Sequence, residues 1–252
     1  MKWNADDLIE INMENESRYK RGYVQTAVCE IRFPTILEFA NPDPPIQIVK
    51  SLRRDYPILN AQNEIKLGVN SGKSSTKITH EFATTNRKWT LSVKQSSIVF
   101  QANAYHNYSD FKARFLKAFD SIKDSLDADF LTRIGLRYVN AIKTEPEGFK
   151  KDFLNEMLVS PLLSGKFNNV NEYAGKIQLV KNDGGLILQH GIRFADGTTE
   201  DHPIPDYMID IDTYRVDLPI DHVEGALDIM HAQAFTVFDL CLGTKAKEKL
   251  SQ

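Results

Sequence analysis

Arg133 and Arg137 stand four residues apart, with Gly135 midway between them, in the segment LTRIGLRYVNAI at 131–142. On an extended chain all three point to one face, because side chains alternate with period two. Two guanidiniums flanking a bare glycine form a fork that can hold a carboxylate or a phosphate. The same spacing also suits structural ion pairs with Glu30 or with neighbours of Arg32, and the glycine then lets a side chain lie close to the backbone. Asp210 and Asp212 share a face of a second extended segment, YMIDIDTYRV at 207–216. Paired carboxylates can bind a divalent cation or divide acid and base roles. They can equally form a solvated face or serve as partners for the two arginines. Asp201, His202 and Asp206 lie near them in sequence, without the fixed spacing of a ligand set. Glu30, Arg133, Arg137, Asp210 and Asp212 are therefore the candidate ligand site or ion-pair network. Tyr138 and Asn140 fall on the opposite face with Ile134 and Leu136, and read as packing residues with satisfied polar tips.

Other reactive side chains give less. The six histidines (80, 106, 190, 202, 222 and 231) form no HxH or HExxH pattern, so no metal is expected. Cys29 and Cys241 fall on apolar faces and read as core residues. The nucleophile-elbow, P-loop and dinucleotide-binding patterns do not occur, so neither a catalytic residue nor a cofactor is predicted. Lys66, Lys73, Lys77, Arg87, Lys88 and Lys94 gather around Trp89. Of these, Lys77, Arg87 and Lys88 form a candidate basic surface for nucleic acid or an acidic protein. The alternative is a sheet rim guarded by lysines against edge pairing.

The elements that must position these residues follow from the hydrophobic pattern. Tyr23–Phe33 alternates as a strand, with Ala27, Cys29, Ile31 and Phe33 on one face. Pro45 suits the first turn of a helix that runs to about Asp55 and stops before Pro57. Four strands follow: Glu64–Val69, Thr76–Thr85, Lys88–Lys94 after a tight turn at Asn86-Arg87, and Ile98–Tyr105. Ser109 or Asp110 can cap a helix with an apolar stripe of Phe111, Phe115, Leu116, Phe119, Ile122 and Leu126. The order then begins again. Leu131–Ile142 is a strand, Glu145–Gly148 a turn, and Phe153–Leu163 a helix ending at Ser164-Gly165. Tyr173–Lys181 and Leu186–Phe194 form a hairpin through NDGG, where Asp-Gly suits a primed turn. After a loop at 195–206 comes the strand Tyr207–Val216. A long helix over 221–241, capped by Asp221, has Val223, Leu227, Met230, Ala234, Val237, Phe238 and Cys241 facing inward.

The pattern defines a polar N-terminal segment at 1–22, a first α+β half at 23–127 and a second at 128–252. Each half reads strand, helix, meander, helix. Two such pseudo-repeated halves sharing one mostly antiparallel sheet, with helices on one face, is the predicted fold. Its order is similar to the saddle of the TATA-binding protein, a likeness of topology that carries no function. The segment RIGLRYVN at 133–140 resembles the R-x-G-L-R-Y-x-N strand of a sporadically distributed family of uncharacterised prokaryotic proteins. VCEIRF at 28–33, Tyr56-Pro57, YMIDID at 207–212, and His231, Phe235 and Phe238 agree with that family in order. The resemblance implies a fold and a cytoplasmic setting and brings no reaction with it.

The 252 residues are 42% hydrophobic and 26% charged, with a formal net charge of −3. That balance fits a globular chain and argues against a protein whose main task is to coat nucleic acid. The small net charge conceals a division. Residues 1–126 carry 18 Lys+Arg against 14 Asp+Glu and residues 127–252 carry 13 against 20, or +4 against −7. No apolar run approaches the ~18 residues of a membrane span, and the acidic first twenty residues do not read as a signal peptide. The expected function is a cytoplasmic, non-enzymatic binding or adaptor protein working through a protein partner or as a homodimer. Nucleic-acid binding on the basic meander is the second reading. A small-molecule or anion site on Arg133, Arg137, Asp210 and Asp212 is the third.

Overall fold

The computed structural model describes residues 8–67, 74–143, 152–167, 170, 172–193 and 206–252, giving backbone but no side-chain placement at 62–67, 74–77 and 193. Its strands are β1 (Val24–Arg32), β2 (Ile58–Leu67), β3 (Ser74–Ala83), β4 (Trp89–Lys94), β5 (Ser97–Ala102), β6 (Phe130–Ile142), β7 (Glu172–Lys181), β8 (Gly184–Arg193) and β9 (Tyr207–Pro219). They form an antiparallel sheet in the order β2-β3-β4-β5-β1-β6-β9-β8-β7. The helices are α1 (Ile46–Leu52), α2 (Tyr108–Ile122), α3 (Glu156–Leu163), α4 (Val223–Cys241) and α5 (Thr244–Ser251). The fold is thus α+β. It divides into a meander unit, residues 26–136 and 215–227, and a terminal unit, residues 1–25, 137–214 and 228–252.

In the meander unit the alternation seen in sequence becomes burial. Ala27, Cys29 and Ile31 of β1, Trp89, Leu91 and Val93 of β4, and Ile98, Phe100 and Ala102 of β5 are all buried. Their register places Phe100 directly beside both Cys29 and Leu91, on one face. The stripe of α2, with Phe111, Phe115, Phe119 and Ile122 buried, lies on that face. Phe100 meets Trp89, Phe111 and Phe115 at ring-centroid distances of 5.5, 5.4 and 5.8 Å. Such aromatic pairs add roughly 0.5–1.5 kcal/mol each beyond area burial. The cap of α2 is Asn107, whose side chain accepts from the Asp110 N–H at 2.8 Å, so Ser109 and Asp110 lie inside the helix. Arg87 takes φ 53° in the β3–β4 turn. β2 begins at Ile58, earlier than the alternation from Glu64 suggests, because its first half pairs with β3 from Ile58↔Ala83 onward.

In the terminal unit β9 buries Tyr207, Ile209, Ile211 and Thr213, β6 buries Tyr138, Asn140 and Ile142, and α4 buries Met230, Ala234, Val237 and Cys241. α3 starts at Glu156 rather than Phe153, since Asn155 caps it by accepting from the Met157 N–H at 3.1 Å. α5 has no counterpart in the sequence reading. Its TKAKEKLS is polar, and it buries only Ala246 and Leu250, four apart. β7 and β8 form the expected hairpin, but Lys181 pairs with Gly184 across a turn of Asn182-Asp183, and neither turn residue has positive φ. Gly184 and Gly185 belong to β8. A Cβ on Gly185 would lie 2.5 Å from the Leu179 carbonyl oxygen and 2.6 Å from the Tyr214 hydroxyl, so close packing holds that glycine in the strand. The expected turn at Glu145–Gly148, the loops at 70–73 and 195–205, and Val69 and Phe194 lie outside the described residues. No helix among the described residues is long and apolar enough to cross a membrane.

Candidate functional site

β6 carries both signature arginines, and each meets a carboxylate on a neighbouring strand. In the meander unit Glu30 of β1 offers one oxygen to two guanidiniums. Its Oε2 accepts from Arg133 Nη1 at 2.9 Å and from Arg32 Nε at 3.0 Å. The Arg133 guanidinium folds over Gly135, where a Cβ would lie 2.6 Å from Nη1. In the terminal unit Arg137 grips Asp210 of β9 with both ends of its fork, Nε to Oδ1 at 2.7 Å and Nη2 to Oδ2 at 2.6 Å. These hydrogen bonds, with the nearby charge of Asp212, raise the Arg137 pKa against the opposing effect of burial. A bidentate pair of this kind is strong and directional. Both guanidiniums are thus engaged by carboxylates of the chain itself.

The remaining sequence candidates are scattered. Arg87 and Lys88 are exposed together at the β3–β4 turn. Lys94 lies at the far end of the six-residue β4, roughly 20 Å away at strand rise. The side chains of Lys66 and Lys77, and all of Lys73, Asp201 and His202, lie outside the described residues. Among the described residues no three His, Cys, Asp or Glu side chains are grouped to hold a metal ion. Cys29 and Cys241 are buried. Burial raises both thiol pKa values, that of Cys241 to about 12, so neither is a ready thiolate.

Three arrangements in the terminal unit escaped the sequence reading. The first is a hydrogen-bonded chain. The Tyr138 hydroxyl lies 3.1 Å from His231 Nδ1, and His231 Nε2 lies 2.8 Å from Glu16 Oε1. With Nε2–H donating to the carboxylate and Nδ1 accepting from the phenol, every group is satisfied. The bond from His231 holds Glu16 below its ordinary pKa. Only the position of His231 was readable, since it follows Leu227 by four and so sits on the inward stripe of α4; its two partners were not. The second is Asp239 of α4, which accepts from Lys247 Nζ at 2.6 Å, from Asn15 Nδ2 at 3.1 Å and from the Tyr19 hydroxyl. Burial pushes its pKa up, but these bonds outweigh it and the net shift is downward. Both arrangements fasten residues 12–20 to α4, alongside the Asn12 N–H bond to Thr236 Oγ1 at 3.0 Å.

The third arrangement is apolar. Among the described residues, five of the eleven exposed large hydrophobic side chains fall between residues 157 and 180: Met157, Leu163, Phe167, Ile177 and Val180, each 42–66% exposed. They belong to α3, the segment after it, and β7, which ends the sheet. The Tyr173 hydroxyl of β7 donates to the Leu158 carbonyl of α3 at 2.6 Å, so helix and edge strand are neighbours.

The molecule is thus an α+β protein on a nine-stranded antiparallel sheet, with its two signature arginines paired internally and with exposed apolar side chains on α3 and on the last strand β7. No known family model matches the chain, and no curated protein matches it.

Proposed function

We propose that this chain is a non-enzymatic binding or adaptor protein of the cytoplasm that acts through protein–protein contacts made by the α3–β7 edge. The observation that carries the reading is the exposure of Ile177 and Val180 on opposite faces of the last strand of the sheet, with Met157 and Leu163 exposed on the helix that neighbours it. Large apolar side chains left exposed on an edge strand suit a contact surface, and the edge adds a row of backbone donors and acceptors for pairing. The engagement of Arg133 by Glu30 and of Arg137 by Asp210 favours a structural role for the signature strand over an anion site. Read outward from the centre, the sheet runs β1-β5-β4-β3-β2 one way and β6-β9-β8-β7 the other. That order supports the duplicated, TATA-binding-protein-like reading of the halves 23–127 and 128–252.

The test is capture of proteins from the native host by the tagged full chain, compared with Met157→Glu and Phe167→Glu. Both substitutions are at exposed positions and are expected to leave the fold intact. The expected result is a defined partner, retained by the parent chain and lost from both variants. An identical set of captured proteins from all three would refute the α3–β7 edge as the contact surface.

A further inference from the structure

The register of β7 indicates which protein the edge can accept. We infer that the α3–β7 edge pairs with a second copy of this chain, β7 against β7 and antiparallel, centred on Ile177; this rests on the protein-contact reading above. A two-fold axis normal to a sheet keeps each face on its own side, so each residue must oppose one of like parity. Centred on Ile177, the pairing sets the two Ile177 side chains opposite each other. It also sets Ala174 opposite Val180 of the second copy, Lys176 opposite Gln178, and Tyr173 opposite Lys181. The two most exposed β-branched residues of β7 then gain apolar neighbours, and no two like charges oppose. Centring one residue earlier sets Lys176 against Lys176, which like-charge repulsion disfavours. Centring one residue later leaves Ile177 opposite Leu179 but sets Val180 against Lys176.

The helix beside the edge leaves room for this. Ile177 lies four residues from Tyr173, on the same face, and pairs with buried Leu188 of β8. Tyr173 is covered by α3, to which it donates its hydroxyl hydrogen bond, yet Ile177 remains 47% exposed. Because the two β7 strands run oppositely, the two α3 helices stand at opposite ends of the pair. The Ile177 side chains meet between them.

The test uses the full chain in solution. Ile177→Cys is expected to form an intermolecular disulfide under mild oxidation, since directly opposed Cβ atoms lie ~4.5–5.5 Å apart and a disulfide needs ~3.5–4.5 Å. Val180→Cys is expected not to, because six residues separate the two copies of that position along the strand, about 20 Å. Cys29 and Cys241 are buried and do not compete. Ile177→Glu, which opposes two carboxylates, is expected to turn a dimer into a monomer by light scattering. A parent chain that is monomeric throughout would overturn the inference. So would a dimer that survives Ile177→Glu and in which Ile177→Cys crosslinks no better than Val180→Cys. Should the monomeric parent still lose a host partner on Met157→Glu, self-pairing fails and the protein-contact reading stands. If host capture is unchanged as well, both fail.

Discussion

At the scale of single residues, two glycines do different work. Gly135 lies under the Arg133 guanidinium, the mobile end of a long side chain, while Gly191 has φ +147° and would place a Cβ 1.9 Å from the Tyr173 carbonyl oxygen. A side chain can step aside where a paired backbone cannot. Gly135→Ala is therefore expected to displace Arg133 from Glu30 at a cost of about 1 kcal/mol, the upper end of the range for an ion pair that solvent still reaches. Gly191→Ala is expected to cost about 3 kcal/mol or more through backbone strain and clash. Urea unfolding of both variants measures this, and equal costs would contradict the distinction. The face shared by Arg133, Gly135 and Arg137 was legible in sequence because strand alternation is a local property. The chain from Tyr138 through His231 to Glu16 was not. Its members are 93 and 215 residues apart in sequence, and nothing local announces such a meeting.

At the scale of elements, residues 12–20 are fastened to α4 through carboxylates that the fold keeps ionised. Glu16 and Asp239 both have lowered pKa values in the folded protein. Each therefore adds stability above the ordinary carboxylate range, and that contribution is lost as pH falls through the folded value. Asp239→Asn is expected to cost about 2 kcal/mol at pH 7, because three donors face a charged acceptor, and progressively less towards pH 3. Thermal unfolding of parent and variant across that range measures the difference, and a cost independent of pH would contradict the assignment. The strands were legible wherever one face is buried, as in Tyr23–Phe33 and Leu131–Ile142. What escaped is instructive. The first residues of β2 are strand by pairing with β3 rather than by their own pattern. α5 buries too little apolar surface to leave a stripe. Asn107 caps α2 ahead of Ser109 and Asp110, and Asn155 caps α3 two residues after the expected start at Phe153.

At the scale of the whole molecule, the strand order among the described residues begins with β2 and ends with β7. Native proteins guard sheet edges with charge, bulges or cover. β7 carries Glu172, Lys176 and Lys181, yet Ile177 and Val180 stand exposed between them, a pattern suited to controlled pairing rather than to indifference. The antiparallel α+β character was readable from the chain because the meander strands are short and turn-punctuated. The apolar edge was not, since an exposed isoleucine and a buried one look alike until the strand order is known. The central claim, that β7 is a contact edge, is tested most directly by amide hydrogen exchange over residues 172–181 of the full chain as its concentration is raised. The account predicts that the outward-facing amides of β7 become protected at high concentration while β4 and β5 stay unchanged. Exchange in β7 that is fast and the same at every concentration would contradict it.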